Sequence, residues 1–192
     1  MNAYALIGVA IAALVYVPLF IGVWQKKVQQ NFATFFLWGL LDAIAAGSIL
    51  MKGGNFLLPA IYTLLSVTVL IAIMRSKTFK WGLVEWITLS LVFVCMVIWA
   101  VAGPTEATIA STIALAIATI PQLKDMWEEP QKALIRSYVG FTLANGVSIL
   151  GGKDWSIAER FYPTVSTIMT VLCVLVLLRA FMPDRKNPAY GT

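Results

Sequence analysis

Two polar residues stand where the chain is otherwise apolar. Asp42 lies near the middle of FFLWGLLDAIAAGSIL, and Asn145 lies in a second apolar run 103 positions later. An acidic group deep in a membrane helix costs about 2.5–3.5 kcal/mol on insertion scales, so such residues face a cavity or a partner. A carboxyl at Asp42 has three uses: carrying a proton, pairing with a cationic group of a solute, or staying protonated and bonding a neighbouring helix. Asn145 can hydrogen-bond a solute's hydroxyl, amide or carboxylate, or join two helices. Trp38 and Phe141 each come four residues earlier, on the same helical faces. There they offer stacking walls to a sugar ring or other planar solute, or simply pack. Tyr62, Ser66, Ser166 and Thr170 add hydroxyls on other runs, although Ser and Thr also bond back to their own helix. Pro18 and Pro121 each remove a backbone donor from a long apolar run. With Gln122 they are the expected hinge, a static kink being the alternative.

Other chemistries are excluded by what is missing. The chain has no histidine, the commonest metal ligand and general base. Its two cysteines, Cys95 and Cys173, sit deep in apolar runs, where thiols act as small apolar side chains. No paired carboxylates fall within an apolar run, so neither an enzyme, a metal site nor a cofactor is expected. The last apolar run carries no lysine for a Schiff base, which excludes a retinal protein.

The elements that position these residues follow from composition. The chain has 192 residues, 60% hydrophobic and 12% charged, and its mean hydropathy is +0.85. Apolar runs between charge clusters predict membrane helices over 4–24, 33–51, 56–75, 81–102, 106–126, 135–151 and 159–182. The first has no Lys or Arg before it and exceeds a signal core in length, so it is read as a retained helix. Of the seven, the fifth is the least apolar. Small residues such as Ala45, Ala46 and Gly47 are expected to permit close helix packing.

Basic residues supply the orientation. With the N-terminus outside and seven crossings, the inside segments hold Lys26, Lys27, Arg75, Lys77, Lys80, Lys124, Lys132, Arg136, Arg179, Arg185 and Lys186. Outside segments hold only Lys52, Lys153 and Arg160. This asymmetry predicts N-out, C-in. The net charge of +5 therefore lies at membrane edges, where it meets anionic lipid rather than nucleic acid.

The two ends of the chain also resemble each other. Pro18 and Pro121, Trp24 and Trp127, Leu40 and Leu143, and Asp42 and Asn145 are 103 positions apart. Pro59 and Pro163, Thr63 and Thr167, Val67 and Val171, and Arg75 and Arg179 are 104 apart. Two units of three helices, parallel to each other because a single helix separates them, account for this. At Pro121 the second unit reads PQLKDMW, and the first reads PLFIGVWQKK with Leu19 in place of Gln. Over residues 4 to 182 the chain resembles the SWEET and PQ-loop (MtN3-like) transporter superfamily.

The resemblance implies an all-α membrane protein with seven transmembrane helices arranged 3+1+3 in two parallel triple-helix bundles around a central solute site. Residues 1–80 form the first repeat, 81–104 the linker helix, 105–182 the second repeat and 183–192 a polar cytoplasmic tail. The implied function is movement of a small polar solute across the cell membrane by alternating access, coupled to protons if Asp42 carries them. Sugar, amino acid and related metabolites all remain open, as do monomer and homo-oligomer. The chain departs from the sugar carriers: its third helices, PAIYTLLSVTVL and PTVSTIMTVLCV, lack Asn, and its second helices lack Pro. The alternative is a receptor or assembly factor built on the same fold.

The orientation is tested by single cysteines. Lys27→Cys is expected to react with a membrane-impermeant thiol reagent only from the cytoplasmic side, and Lys52→Cys and Lys153→Cys only from outside. Labelling of Lys52→Cys and Lys153→Cys from opposite sides would remove the seven-span topology.

Overall fold

The computed structural model describes residues 3–76 and 82–181. Within them no strand occurs, and the helices are α1 (Ala3–Trp24), α2 (Phe32–Met51), α3 (Leu57–Ser76), α4 (Leu83–Ala102), α5 (Pro104–Glu128), α6 (Lys132–Leu150) and α7 (Tyr162–Leu177). A π-helical turn, Ile157–Phe161, leads into α7, and a 3-10 turn, Leu178–Phe181, follows it. Residues 77–81 and the expected tail 183–192, with Lys77, Lys80, Arg185 and Lys186, lie outside the described residues.

The helices follow the expected boundaries to within three residues, except that α7 gives way to a 3-10 turn after Leu177. The weakly apolar fifth run forms the longest of the described helices, 25 residues. It starts at Pro104, whose fixed φ and missing N–H suit a first turn. Gly103 before it has φ 107°, a conformation that glycine adopts without strain, so α4 passes into α5 through a single residue. The seventh helix begins two residues earlier than expected, as a π turn. Pro163 explains this: in a regular helix its ring would meet the carbonyl of Glu159, and a wider turn relieves that clash.

Local chemistry ends the other helices. After α1 the N–H groups of Lys27 and Val28 both reach the Gly22 carbonyl, at 2.9 and 3.2 Å, with Lys26 at φ 58°. At the start of α2 the Asn31 side chain accepts the Thr34 N–H at 3.0 Å.

Among these helices, α3 lies against both α1 and α2, and α7 against both α5 and α6. α1 also packs on α6 and α2 on α5, while α4 rests on α5 and α2. The polar residues are turned inward. Asp42, Ser48, Ser66, Thr108, Ser111, Thr112, Thr119, Gln122, Asn145, Ser148 and Ser166 are all buried. Large apolar side chains face outward instead: Leu14 is 72% exposed, Leu64 65%, Phe93 67% and Val101 84%. In water such a surface would be one continuous apolar patch, far beyond what a soluble monomer tolerates. Six described helices are long and apolar enough to cross a membrane, and α4 adds the apolar stretch Leu89–Ala102. The chain is a multi-pass membrane protein.

Close approaches need glycine. A Cβ on Gly54 would lie 2.5 Å from the backbone oxygen of Ala158, and one on Gly47 would lie 2.8 Å from the Trp99 ring. Gly54→Ala, which must push two backbone segments apart, is expected to destabilise the fold by about 1–3 kcal/mol, read from thermal unfolding in detergent.

Candidate functional site

Six of the seven helices surround a cavity of about 60 Å³. Its walls are Tyr16 of α1, Trp38 and Asp42 of α2, Tyr62 of α3, Leu115 and Thr119 of α5, Tyr138, Phe141 and Asn145 of α6, and Tyr162, Ser166, Met169, Thr170 and Cys173 of α7. α4, which lies outside this ring, contributes nothing to the lining. Of the residues expected at a solute site, Asp42, Asn145, Trp38, Phe141, Tyr62, Ser166 and Thr170 are therefore brought together. Ser66 is not a wall residue; it is fully buried behind Tyr16, whose hydroxyl shares a 3.4 Å hydrogen bond with its Oγ. Pro18, Pro121 and Gln122 also lie away from the lining, in helices that run on through both prolines.

Asp42 is 3% exposed and accepts a 2.6 Å hydrogen bond from the Tyr162 hydroxyl. That bond joins α2 to the first turn of α7, so the π turn ahead of Tyr162 sets the direction from which the donor arrives. Asn145 donates its amide N–H to the Phe141 carbonyl at 2.8 Å, which leaves its Oδ1 unpaired. The Tyr62 hydroxyl lies near the Asn145 amide without making a bond of good geometry. Thr142 donates to the Thr170 hydroxyl at 3.1 Å.

Five wall residues keep a buried polar atom with no partner among the described residues: Trp38 Nε1, Tyr62 Oη, Tyr138 Oη, Asn145 Oδ1 and Ser166 Oγ. Buried polar groups are normally satisfied, so five unpaired atoms around one space mark a place for a polar occupant. Three rings close one side: Tyr16 and Phe141 have centroids 5.0 Å apart, Tyr16 and Tyr62 6.1 Å, and Tyr62 and Phe141 6.0 Å.

Polar groups continue toward both ends. On α5, Thr119, Gln122 and Asp125 follow one another at three-residue spacing, on one face of the helix. Asp125 accepts from Asn31 at 3.3 Å, and Gln29 and Gln131 exchange two bonds of 3.1 and 3.4 Å. Nearby in sequence, Gln30, Thr34 and Gln122 hold further buried polar atoms without a partner. At the other end Asn55 donates to Ser148 at 3.3 Å, and Lys153 reaches the Gly53 carbonyl at 3.3 Å and Glu159 at 3.8 Å. In the same loop the Ser156 side chain and N–H hold the exposed Asp154 carboxyl below its ordinary pKa.

Sequence reasoning missed Tyr16, Tyr138 and Tyr162. The only signal available was that each is a tyrosine inside or at the start of an apolar run, which ordinary packing explains equally well. Trp24 and Trp127 carry Arg75 and Arg179 over their rings at 4.3 and 3.5 Å.

No protein-family model, curated protein or solved structure matches this chain.

Removing the donor at Tyr162→Phe is expected to lower stability by about 1 kcal/mol. Tyr138→Phe, which deletes a hydroxyl with no partner, is expected to leave it within about 0.5 kcal/mol or raise it. Chemical unfolding of the two variants side by side decides this, and equal losses would contradict the hydrogen bonding described.

Proposed function

We propose that this protein is a transporter that moves a small polar solute across the membrane by alternating access, with the cavity around Asp42 as the binding site. The observation that carries the reading is the convergence there of one carboxyl and five unpaired polar atoms from α2, α3, α6 and α7. A purely structural bundle has no use for so many unsatisfied groups in one place. The contacts at both ends supply the gates. Gln29–Gln131 and Asn31–Asp125 join the α1–α2 region to the α5–α6 region on one side, and Asn55–Ser148 and Lys153–Gly53 join the α2–α3 loop to the end of α6 and the loop after it on the other. These are few, partly exposed and weak enough to exchange.

The arrangement we infer is 3+1+3, N-out and C-in, with α1–α3 and α5–α7 as two parallel bundles and α4 as the linker. Its support is the equivalent packing of α3 and α7 within their triplets and the paired contacts α1–α6 and α2–α5. On this reading the chain is a SWEET or PQ-loop relative in the cell membrane, Pro18 and Pro121 flex during the exchange, and Asp42 couples solute to protons. On this reading the chain acts as a carrier.

Purified protein in liposomes tests this with a panel of sugars, amino acids, amines and organic acids, with and without a proton gradient. Saturable uptake is expected, with a response to the gradient that disappears in Asp42→Asn. Pro121→Ala is expected to slow exchange several-fold while binding is retained. Absence of flux for every solute that binds would replace the transporter with a receptor or assembly factor.

A further inference from the structure

The cavity is specific about charge. Asp42 is buried, its one hydrogen bond comes from a neutral hydroxyl, and no Lys or Arg lines the space. Histidine does not occur in the chain. A buried carboxyl stays ionised only beside a compensating positive charge and otherwise takes up a proton; the walls contain no such charge, so a cationic ligand is what would hold Asp42 ionised. A ligand with a carboxylate of its own, such as an organic acid, would bring a second negative charge beside Asp42 with no cationic side chain in the walls to receive it.

Asn145 points the same way. One N–H of its amide donates to the Phe141 carbonyl at 2.8 Å, and its acceptor Oδ1 has no partner. The opposite amide orientation would set two carbonyl oxygens against each other. Asp42, Tyr62 and Asn145 all line the same space. A ligand there must donate in more than one direction. An ammonium group does so and also carries the missing charge.

The remaining wall is aromatic. The rings of Tyr16, Tyr62 and Phe141 lie 5.0 to 6.1 Å apart and meet at angles of 42 to 85°. Rings set at such angles offer faces and edges to one small volume, and an aromatic surface beside a carboxylate is how proteins hold alkylammonium ions.

We propose that the ligand of this cavity is a small primary ammonium ion. Its N–H groups meet Asp42 and Asn145 Oδ1, and its short alkyl part lies against Tyr16, Tyr62 and Phe141. This rests on the reading of the cavity as the solute site and narrows the solute to a class.

Calorimetric titration of the full chain in lipid nanodiscs at neutral pH tests it, with ethylammonium, acetamide and acetate as cationic, neutral and anionic probes of similar size. Ethylammonium is expected to bind saturably and at least about tenfold more tightly than acetamide, with acetate not binding. Asp42→Asn, close to isosteric, is expected to weaken ethylammonium by about tenfold or more and to leave acetamide unchanged. The comparison of the three probes on the unsubstituted chain needs no variant, so it decides the matter even if Asp42→Asn does not fold. Absence of ethylammonium binding, or acetamide binding as tightly, overturns the proposal. Flux in liposomes separates it from the transport reading. Ethylammonium that binds but does not cross removes the transporter and leaves the cation site; a neutral solute that crosses while ethylammonium does not bind removes the cation site and leaves the transporter.

Discussion

Hydrocarbon offers a polar group no hydrogen bond, and the arrangement of this chain follows from that constraint. The helices satisfy their own backbones, so the difficulty falls on the side chains. Many hydroxyls meet it locally by bonding back to a carbonyl one turn away, as Thr63, Thr108, Thr112, Thr119, Thr142 and Thr167 do. Asp42 has no such recourse. A carboxyl is too costly to leave against lipid and too short to reach either membrane surface from mid-helix. Its position therefore draws Tyr162 of α7 against α2, across 120 positions of sequence. The helices around that bond enclose the cavity.

Positions 103 or 104 apart have been used alike at the periphery and differently at the centre. Arg75 covers Trp24 and Arg179 covers Trp127, each joining the last turn of one helix to the last turn of another. Both contacts lie at a helix end, where a guanidinium can remain hydrated while it stacks. At the centre one position holds Asp42 and the other Asn145. An acid and an amide of nearly equal size make one wall ionisable and the other not, and the site loses any symmetry that its surroundings keep. Two carboxylates facing one small dry space would repel each other.

The two ends of the helix bundle are joined by different chemistry. Near the ends of α1 and α5 the contacts are amide pairs and one amide–carboxylate bond, with unpaired Gln30, Thr34 and Gln122 close by in sequence. At the opposite end an ion pair, Lys153–Glu159, stands beside the Gly54–Ala158 approach. Glu159 is only 5% exposed, so its pairing is less screened than that of a surface pair. The π turn that contains Glu159 runs directly into Tyr162, so the closure at this end and the donor to Asp42 share one short segment.

The sequence by itself determined the helices, because membrane-spanning runs are written in composition and length. Their ends were legible to within three residues apart from the close of α7. The starts of α5 and α7 are set by Pro104 and Pro163 through backbone sterics that a hydropathy pattern does not register. Asp42, Asn145, Trp38 and Phe141 were also legible, since a polar residue in an apolar run stands out and four-residue spacing fixes a shared face. Only the tertiary structure decided which helices meet, and with them the partner of Asp42, the role of Ser66 as a support behind Tyr16, and the tyrosines of the cavity. Tyrosine in an apolar helix carries no directional signal: its ring suits lipid, core and cavity equally, and only the placement of neighbouring helices determines which of these its hydroxyl meets.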